Sequence, residues 1–355
     1  MKKCIAMMLV LAMTMSMAAC GSKEEPASNP STAEADGQTP AEEPKAEEAD
    51  TPEAGADDKV FHVGVAQLVQ HDALDAATQG FKDALVEELG ERVVFDEQNA
   101  SNDIPTCSTI INKFVSDEVD LILANATPVL QAAQAGTDKI PILGTSVTEY
   151  GVALQIADFN GTVGGNISGT SDLAPLDQQA AMLHELFPDK KNVGLLYCSA
   201  EANSQYQVDT VQAYLEDLGY TCKQYPFSDS NDLSTIATTA ASESDVIYVP
   251  TDNTAASNAN IIRGVCEPAG IPVVAGEEGI CKGCGVVTLS IDYYDLGVAT
   301  GKMAAQILTG QADISTMPVG YAAEFTKKYN PEICEAMNIT IPDGYEAIEM
   351  GEAAK

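Results

Sequence analysis

Tryptophan is absent from the 355 residues, and arginine is nearly so, with Arg92 and Arg263 alone. Acidic residues outnumber basic ones by 53 to 18, leaving a net charge of −35. So little positive charge excludes nucleic acid as a partner, because its phosphates would be repelled. An anionic group on any ligand would have to be met by backbone N–H groups and hydroxyls rather than by guanidinium forks. Histidine occurs only at His62, inside a strand pattern, at His71, and at His184 on a helix flank. No Gly-x-Ser-x-Gly elbow, phosphate-binding Gly-Lys-Ser/Thr loop or dinucleotide Gly-x-Gly-x-x-Gly follows a strand. Hydrolase and dehydrogenase chemistry therefore have no carrier, no catalytic residue is assigned, and no cofactor is called for.

Long apolar runs are also scarce; the one present opens the chain. Lys2 and Lys3 precede an apolar stretch from Ile5 to Ala19, followed by Cys20-Gly21-Ser22. The stretch is shorter than the roughly 20 residues a spanning helix needs, and it reads as a signal peptide over 1–19. A thiol directly after Ala18-Ala19 can take a diacylglyceryl group, so Cys20 is expected to be lipidated and to become the mature N-terminus. A soluble secreted protein is the alternative. Residues 20–59 are mostly Ala, Glu, Pro, Ser, Thr, Asp and Gly with no aromatic, a composition that cannot bury enough apolar surface to order itself. They are expected to form an acidic tether to the outer face of the cytoplasmic membrane.

Beyond Cys20 an odd seven cysteines remain: Cys107, Cys198, Cys222, Cys266, Cys281, Cys284 and Cys334. An odd count leaves at least one thiol unpaired. Cys281-Lys282-Gly283-Cys284 has the spacing of a metal knuckle or redox pair, but no second Cys or His pair follows at zinc spacing. A local disulfide and inert thiols remain open, and no metal is assigned.

From Val60 onward, β-branched runs alternate with amphipathic stretches, the pattern of parallel sheets with crossover helices. Leu74, Ala77, Phe81, Leu85 and Leu89 recur at helical spacing and predict a helix over 73–89. Strands are expected at 60–69, 92–97, 119–125 and 140–146, and the alternation restarts near Pro175 with strands at 192–198, 221–227, 246–249, 272–275 and 286–291. Helices are expected over 104–115, 128–135, 175–187, 202–218, 233–241 and 254–267. Two β/α sets imply two Rossmann-like α/β lobes, 60–170 and 171–292. Residues 160–172, rich in Gly, Asn, Ser and Thr, suit a crossing segment. A return helix over about 293–310 should pack on the first lobe, and 311–355 should complete both. Several crossings would confine motion to hinge closure about a cleft.

In open parallel sheets, ligands bind beyond the carboxyl ends of the strands. The turns there are polar: Gln67 to Asp72, Asn125-Ala126-Thr127-Pro128 and Thr145-Ser146-Val147-Thr148 in the first lobe. In the second they are Glu201-Ala202-Asn203-Ser204, Thr251-Asp252-Asn253-Thr254 and Glu277-Glu278. Taken singly, each such residue reads equally as a helix cap. Thr127 before Pro128 is a strong helix start, and Asp72 with Asp75 is the pair where capping alone fits best.

Gln70-His71-Asp72-Ala73-Leu74-Asp75, Asn125 to Pro128, Ser168-Gly169-Thr170-Ser171-Asp172, Glu201 to Ser204, Thr251 to Thr254 and Asp292-Tyr293-Tyr294-Asp295-Leu296-Gly297 occur in this order. In these the chain resembles the tryptophan/tyrosine-type substrate-binding lipoproteins of ABC importers, from Val60 to about Gly310. The resemblance implies the type I periplasmic-binding-protein fold, an aromatic amino acid held between the lobes, and ABC permease and ATPase subunits as partners. The polar turns, placed in that pocket, give as the expected ligand-contacting set Gln67, His71, Asn125, Ala126, Thr127, Ser146, Val147, Thr148, Asp172, Glu201, Asn203, Ser204, Asp252, Asn253 and Glu277. Thr127, Ser146 and Thr148 are expected to hold the carboxylate and part of the ammonium. Asp252 is expected to hold the ammonium, with Glu201 and Asp172 in reserve. Glu149-Tyr150 stands where Asp-Pro is common in that group, which puts Tyr150 at the pocket rim, stacking on a ring or covering the cleft. The rival readings are a sugar or other small-solute binder, a surface sensor or adhesin using the same clamp, and an extracellular enzyme on the same lobes.

Overall fold

The computed structural model describes residues 59–350. The expected signal peptide, Cys20 and nearly all of the tether lie outside the described residues.

The first lobe begins with β1 (Phe61–Gln67), α1 (Asp72–Leu89), β2 (Val93–Asn99), α2 (Ile104–Ser116) and β3 (Leu121–Asn125). It continues through α3 (Thr127–Gly136), β4 (Ile142–Val147), the short α4 (Tyr150–Ala153) and β5 (Ile167–Ser171). The second contains α5 (Leu176–Leu186), β6 (Asn192–Cys198), α6 (Ala202–Asp217), β7 (Thr221–Phe227), α7 (Ser230–Glu243) and β8 (Val246–Val249). Then follow α8 (Asn253–Ser257), α9 (Ala259–Ala269), β9 (Val273–Ala275), α10 (Glu278–Cys284) and β10 (Val287–Ser290). The chain returns with α11 (Tyr293–Leu308) and ends in β11 (Gly320–Tyr321), β12 (Thr326–Tyr329), α12 (Pro331–Ala336) and β13 (Glu346–Ala347).

The first sheet runs β11-β5-β4-β3-β1-β2 and is parallel throughout. The second runs β13-β12-β10-β9-β8-β6-β7, with β12 antiparallel to β10. Both belong to one compact unit. Each strand of the first sheet's centre buries both faces, as parallel sheets with crossover helices require. In β3, Leu121 and Leu123 pack with Phe81 and Leu85 of α1 and Ala304 of α11, while Ile122 and Ala124 pack with Ile111 and Phe114 of α2 and Leu130 of α3. The second sheet is sandwiched in the same way, by α5 and α6 on one face and α7, α9 and α10 on the other. The chain passes between the sheets after β5, after β10 and between β11 and β12.

α11 lies against α1 at a distance only glycine permits. A Cβ on Gly297 would fall 2.0 Å from the Ala77 carbonyl oxygen, and one on Gly80 would fall 2.1 Å from that of Tyr294. Here the side-chain-free backbone sets the helix spacing.

Several expectations need correction. Residues 167–171 are not a loop but β5, buried along its whole length. Its polar side chains are satisfied internally: the hydroxyls of Thr145, Thr170 and Thr300 link β4, β5 and α11 at 2.7–3.2 Å. The helix expected over 254–267 is two, α8 and α9, meeting at Asn258. Tyr150 is not at a rim. It is buried in the first core, stacks on Phe159 and donates to the Thr170 carbonyl at 3.1 Å, filling space that Gly144 and Gly169 leave open. Cys281 and Cys284 lie one turn apart on α10, buried and free, and the other five thiols are free as well. Burial holds both well above the usual thiol range.

Candidate functional site

The polar turns converge where the two sheets face each other. Asn125, Thr127, Ser146, Thr148, Asp172, Glu201, Asn203, Ser204, Asp252, Asn253 and Glu277 are all buried, as are Gln67, Ala126 and Val147. His71 is half-buried. A narrow cavity with only about 10 Å³ of open interior lies on the seam, lined from the first lobe by His71, Ala73 and Leu74, from the chain crossings by Asp172 and Tyr293, and from the second lobe by Thr251, Asp252, Asn253, Ala256 and Glu277. The lobes touch across it. His71 meets Asn253 at 3.2 Å, Asn102 donates to Thr254 at 3.0 Å, and Lys282 pairs with Asp72 at 2.9 Å.

Polar residues buried on such a seam normally find partners. Among the described residues, seven buried side-chain atoms have none: His71 Nδ1, Asn125 Oδ1, Thr127 Oγ1, Ser146 Oγ, Asp172 Oδ1, Asn203 Oδ1 and Thr288 Oγ1. All but the last belong to residues singled out from sequence. The expected caps are correspondingly missing. Thr127 is the first helical residue of α3 rather than its cap, and His71, which precedes α1, gives it no side-chain cap. Asp75 instead accepts from Gln67 Nε2 at 2.6 Å, and Asp72 pairs across the cleft.

The backbone is strained at the same place. Ala126 has φ 95° and ψ 155°, a region that is essentially glycine's, and Ser146 has φ 53°. Such conformations cost on the order of 1–3 kcal/mol each and persist where surrounding structure dictates them. They set the start of α3 and the end of β4, the two turns that carry Thr127 and Thr148.

Four acids are buried here, and three are fully engaged. Glu201 accepts from the Asn253 and Thr254 backbones, from Asn253 Nδ2 and from Thr254 Oγ1, at 2.7–3.1 Å. Glu277 caps α10 through the Gly279 and Ile280 amides. Asp252 divides its oxygens between Cys198 N at 2.7 Å and Ala255 N at 2.8 Å, tying β6 to the start of α8. Both oxygens of Asp252, the residue expected to meet an ammonium, thus already accept from backbone donors. Asp172 differs. Tyr293 donates to its Oδ2 at 3.0 Å and its Oδ1 is free. Burial lifts the Asp172 carboxyl to about 6, partly offset by the Thr148 and Tyr293 hydroxyls. Burial likewise lifts Glu277 to about 7, and burial together with the Glu201 charge lifts Asp252 to about 7.

Gln67 bonds Asp75, Thr78 and the Val69 carbonyl within the first lobe. Sequence reasoning did not single out Thr78, which donates to Gln67 and accepts from Asn125, nor assign a role to Tyr293. Tyr293 lay inside a quoted motif; Thr78 sits mid-helix with no local signal.

Two α/β lobes joined by three crossings and closed on a buried polar seam define a two-lobed solute-binding protein of the type I periplasmic class. The chain belongs to the ABC transporter substrate binding protein family, whose pattern it matches over residues 62–348. Proteins of this family work outside the cytoplasm, and no described helix is long and apolar enough to cross a membrane. The chain is 35% identical to the tyrosine-binding protein of Clostridioides difficile, over 84% of this chain and 87% of that one. It resembles the ABC domain from Streptococcus pneumonia solved in complex with L-Trp, at 31% identity, with a TM-score of 0.77, covering 82% of this chain and all of that one. It also resembles a ligand-free, open substrate-binding protein with adhesive properties from Clostridium difficile, at 36% identity, 82% of this chain and 99% of that one, but with a TM-score of only 0.63. Higher identity with a poorer global fit is what a difference in lobe angle produces. The structure described here has the closed arrangement, in keeping with its contacts across the cleft.

Proposed function

We propose that this protein captures an aromatic amino acid between its lobes and delivers it to ABC permease and ATPase subunits, acting by binding and not by turnover. The observation that supports this reading best is the set of buried, unpartnered polar atoms on the seam, with Asp172 keeping one free carboxylate oxygen among saturated acids. An α-amino acid brings the complementary groups. Its ammonium pairs with Asp172 Oδ1, and its carboxylate accepts from the Thr127 and Ser146 hydroxyls and the Thr127 backbone N–H at the start of α3, Val129 and Leu130 already donating to the Ala126 carbonyl. Charge neutralisation at Asp172 offsets its desolvation. A net charge of −35 on the chain leaves these local donors as the means of holding a carboxylate. Burying an aromatic ring of about 150–200 Å² contributes roughly 4–5 kcal/mol, and a micromolar constant needs about 8 kcal/mol, so the charged ends supply the rest. Closure about the three crossings couples occupancy to lobe angle, and a lipid on Cys20 holds the clamp at the outer face of the cytoplasmic membrane. The test is a thermal-shift screen of the purified protein against all amino acids and common sugars. Ligand at a hundred times its dissociation constant stabilises by about 2.7 kcal/mol, and a response to sugars with none to Tyr, Trp or Phe sinks the reading.

A further inference from the structure

His71 and Asn253 face each other across the cleft, and the roles in their hydrogen bond are fixed by a third residue. Asn253 Nδ2 donates to Glu201 Oε2 at 2.7 Å. That leaves Asn253 Oδ1, an acceptor, towards His71 Nε2 at 3.2 Å. His71 must therefore carry its proton on Nε2, and Nδ1 must hold a lone pair. The protonated ring is disfavoured, since burial lowers the His71 pKa against the pull of Glu201, Asp75 and Asp72. The chain Glu201–Asn253–His71 thus presents one acceptor of fixed orientation, on a residue lining the cavity on the seam. Nothing in the protein donates to it.

We propose that His71 Nδ1 is the specificity-determining acceptor for a hydrogen-bond donor carried on the ligand's ring, a phenol O–H or an indole N–H, so that the site discriminates against phenylalanine. The inference rests on the aromatic amino-acid reading and deepens it. A buried acceptor left unpaired costs its full desolvation, and sites built to bond a ring donor reject the analogue lacking it far more strongly than apolar pockets reject a missing methylene. The Asp172 carboxylate serves the common ammonium, which every amino acid carries; His71 reads what differs between them.

The experiment is calorimetry of the purified protein with tyrosine, tryptophan, phenylalanine and 4-fluorophenylalanine, which nearly matches tyrosine in size but cannot donate. Tyrosine or tryptophan should bind at least about thirtyfold more tightly than both non-donors, in line with a buried polar group left unpaired. The two donor arms tell which ring is preferred. In His71→Phe, that ratio should collapse to within about threefold, with phenylalanine binding retained or improved. The imidazole ¹⁵N shifts of His71 should report the Nε2–H tautomer. Equal affinity of the unaltered protein for tyrosine and 4-fluorophenylalanine overturns the assignment. So does a parallel loss of tyrosine and phenylalanine binding in His71→Phe, which would place His71 at the ammonium or carboxylate instead. Failure of all four ligands overturns the aromatic reading itself, a result distinct from either of these.

Discussion

Asp72 Oδ2 and Lys282 Nζ lie 2.9 Å apart, although they are 210 residues apart in sequence and belong to opposite lobes. The pair is at the edge of the cleft, with Asp72 68% and Lys282 39% exposed. It can form only when the lobes are together, so it acts on the closed state alone. An exposed ion pair contributes about 0–1 kcal/mol. Lys282→Ala should therefore speed ligand release by up to about fivefold, with an unaltered association rate. Stopped-flow kinetics at low and high salt would check this, because salt should reproduce part of the effect in the parent and none in the variant.

Asp172 and Asp252 should respond differently to the same chemical change. Asp172→Asn removes the free carboxylate oxygen and should weaken amino-acid binding at least about thirtyfold, the cost of stranding a buried charge. Asp252→Asn leaves one of two backbone amides facing an NH₂ group, which should lower stability by about 1–3 kcal/mol. Affinity should stay within about threefold. Calorimetry paired with urea unfolding separates the outcomes, and an affinity loss confined to Asp252→Asn would return the ammonium to that residue.

Acid should act on binding and on stability in opposite senses. Asp172 holds its proton up to about 6 in the free protein, whereas an ammonium pairs with the carboxylate. Affinity should be flat above about pH 7 and fall towards about tenfold per unit below 6. That slope should be absent in Asp172→Asn. Without ligand, Asp172, Asp252 and Glu277 all bind protons more tightly folded than unfolded. Folding then takes up protons between the ordinary carboxyl range and about 7, so stability falls as pH rises through that window. Thermal unfolding of the ligand-free protein should show a higher Tm at pH 5.5 than at pH 7.5.

Gly297→Ala should cost about 2–3 kcal/mol by forcing the backbones of α1 and α11 apart. Gly264, in α9 with nothing within 4 Å of its would-be Cβ, is the control; Gly264→Ala should be neutral or stabilising by up to about 1 kcal/mol. Denaturant unfolding of both would check the pair.

Cys20→Ser should move the protein from the membrane fraction to the medium, because a single Ser cannot be acylated through a thioether. Fractionation and blotting decide it, and retention in the membrane would remove the anchor.

The sequence located β6, β7 and β8 to the residue, because the short β-branched and aromatic runs and the flanking amphipathic helices agree there. It failed at β5, where Ile-Ser-Gly-Thr-Ser has the composition of a turn. What makes that segment a strand is tertiary: the Thr145 and Thr300 hydroxyls that satisfy Thr170, and the Tyr150 ring above Gly169. The same limit applied to the site. Polar turns at strand ends gave its residues, because position in a parallel sheet follows from order along the chain. Which acid has an oxygen to spare did not follow, since Asp252 and Asp172 differ in the donors that the fold brings to them: Cys198 from a neighbouring strand and Ala255 from its own helix for one, Tyr293 and the nearby Thr148 hydroxyl for the other. Tyr150 was misplaced for a related reason, as nothing local says whether a ring turns outward or into the core.

The last strands have a consequence for how the chain is made. α1 lacks its partner helix until synthesis has passed Leu308, and the first sheet its edge until Tyr321; the second sheet lacks two strands until Ala347. Neither half can reach its final form while the ribosome is still at work on the middle of the message. Both sheets therefore reach their full strand count only once the last few dozen residues of the described chain are in place.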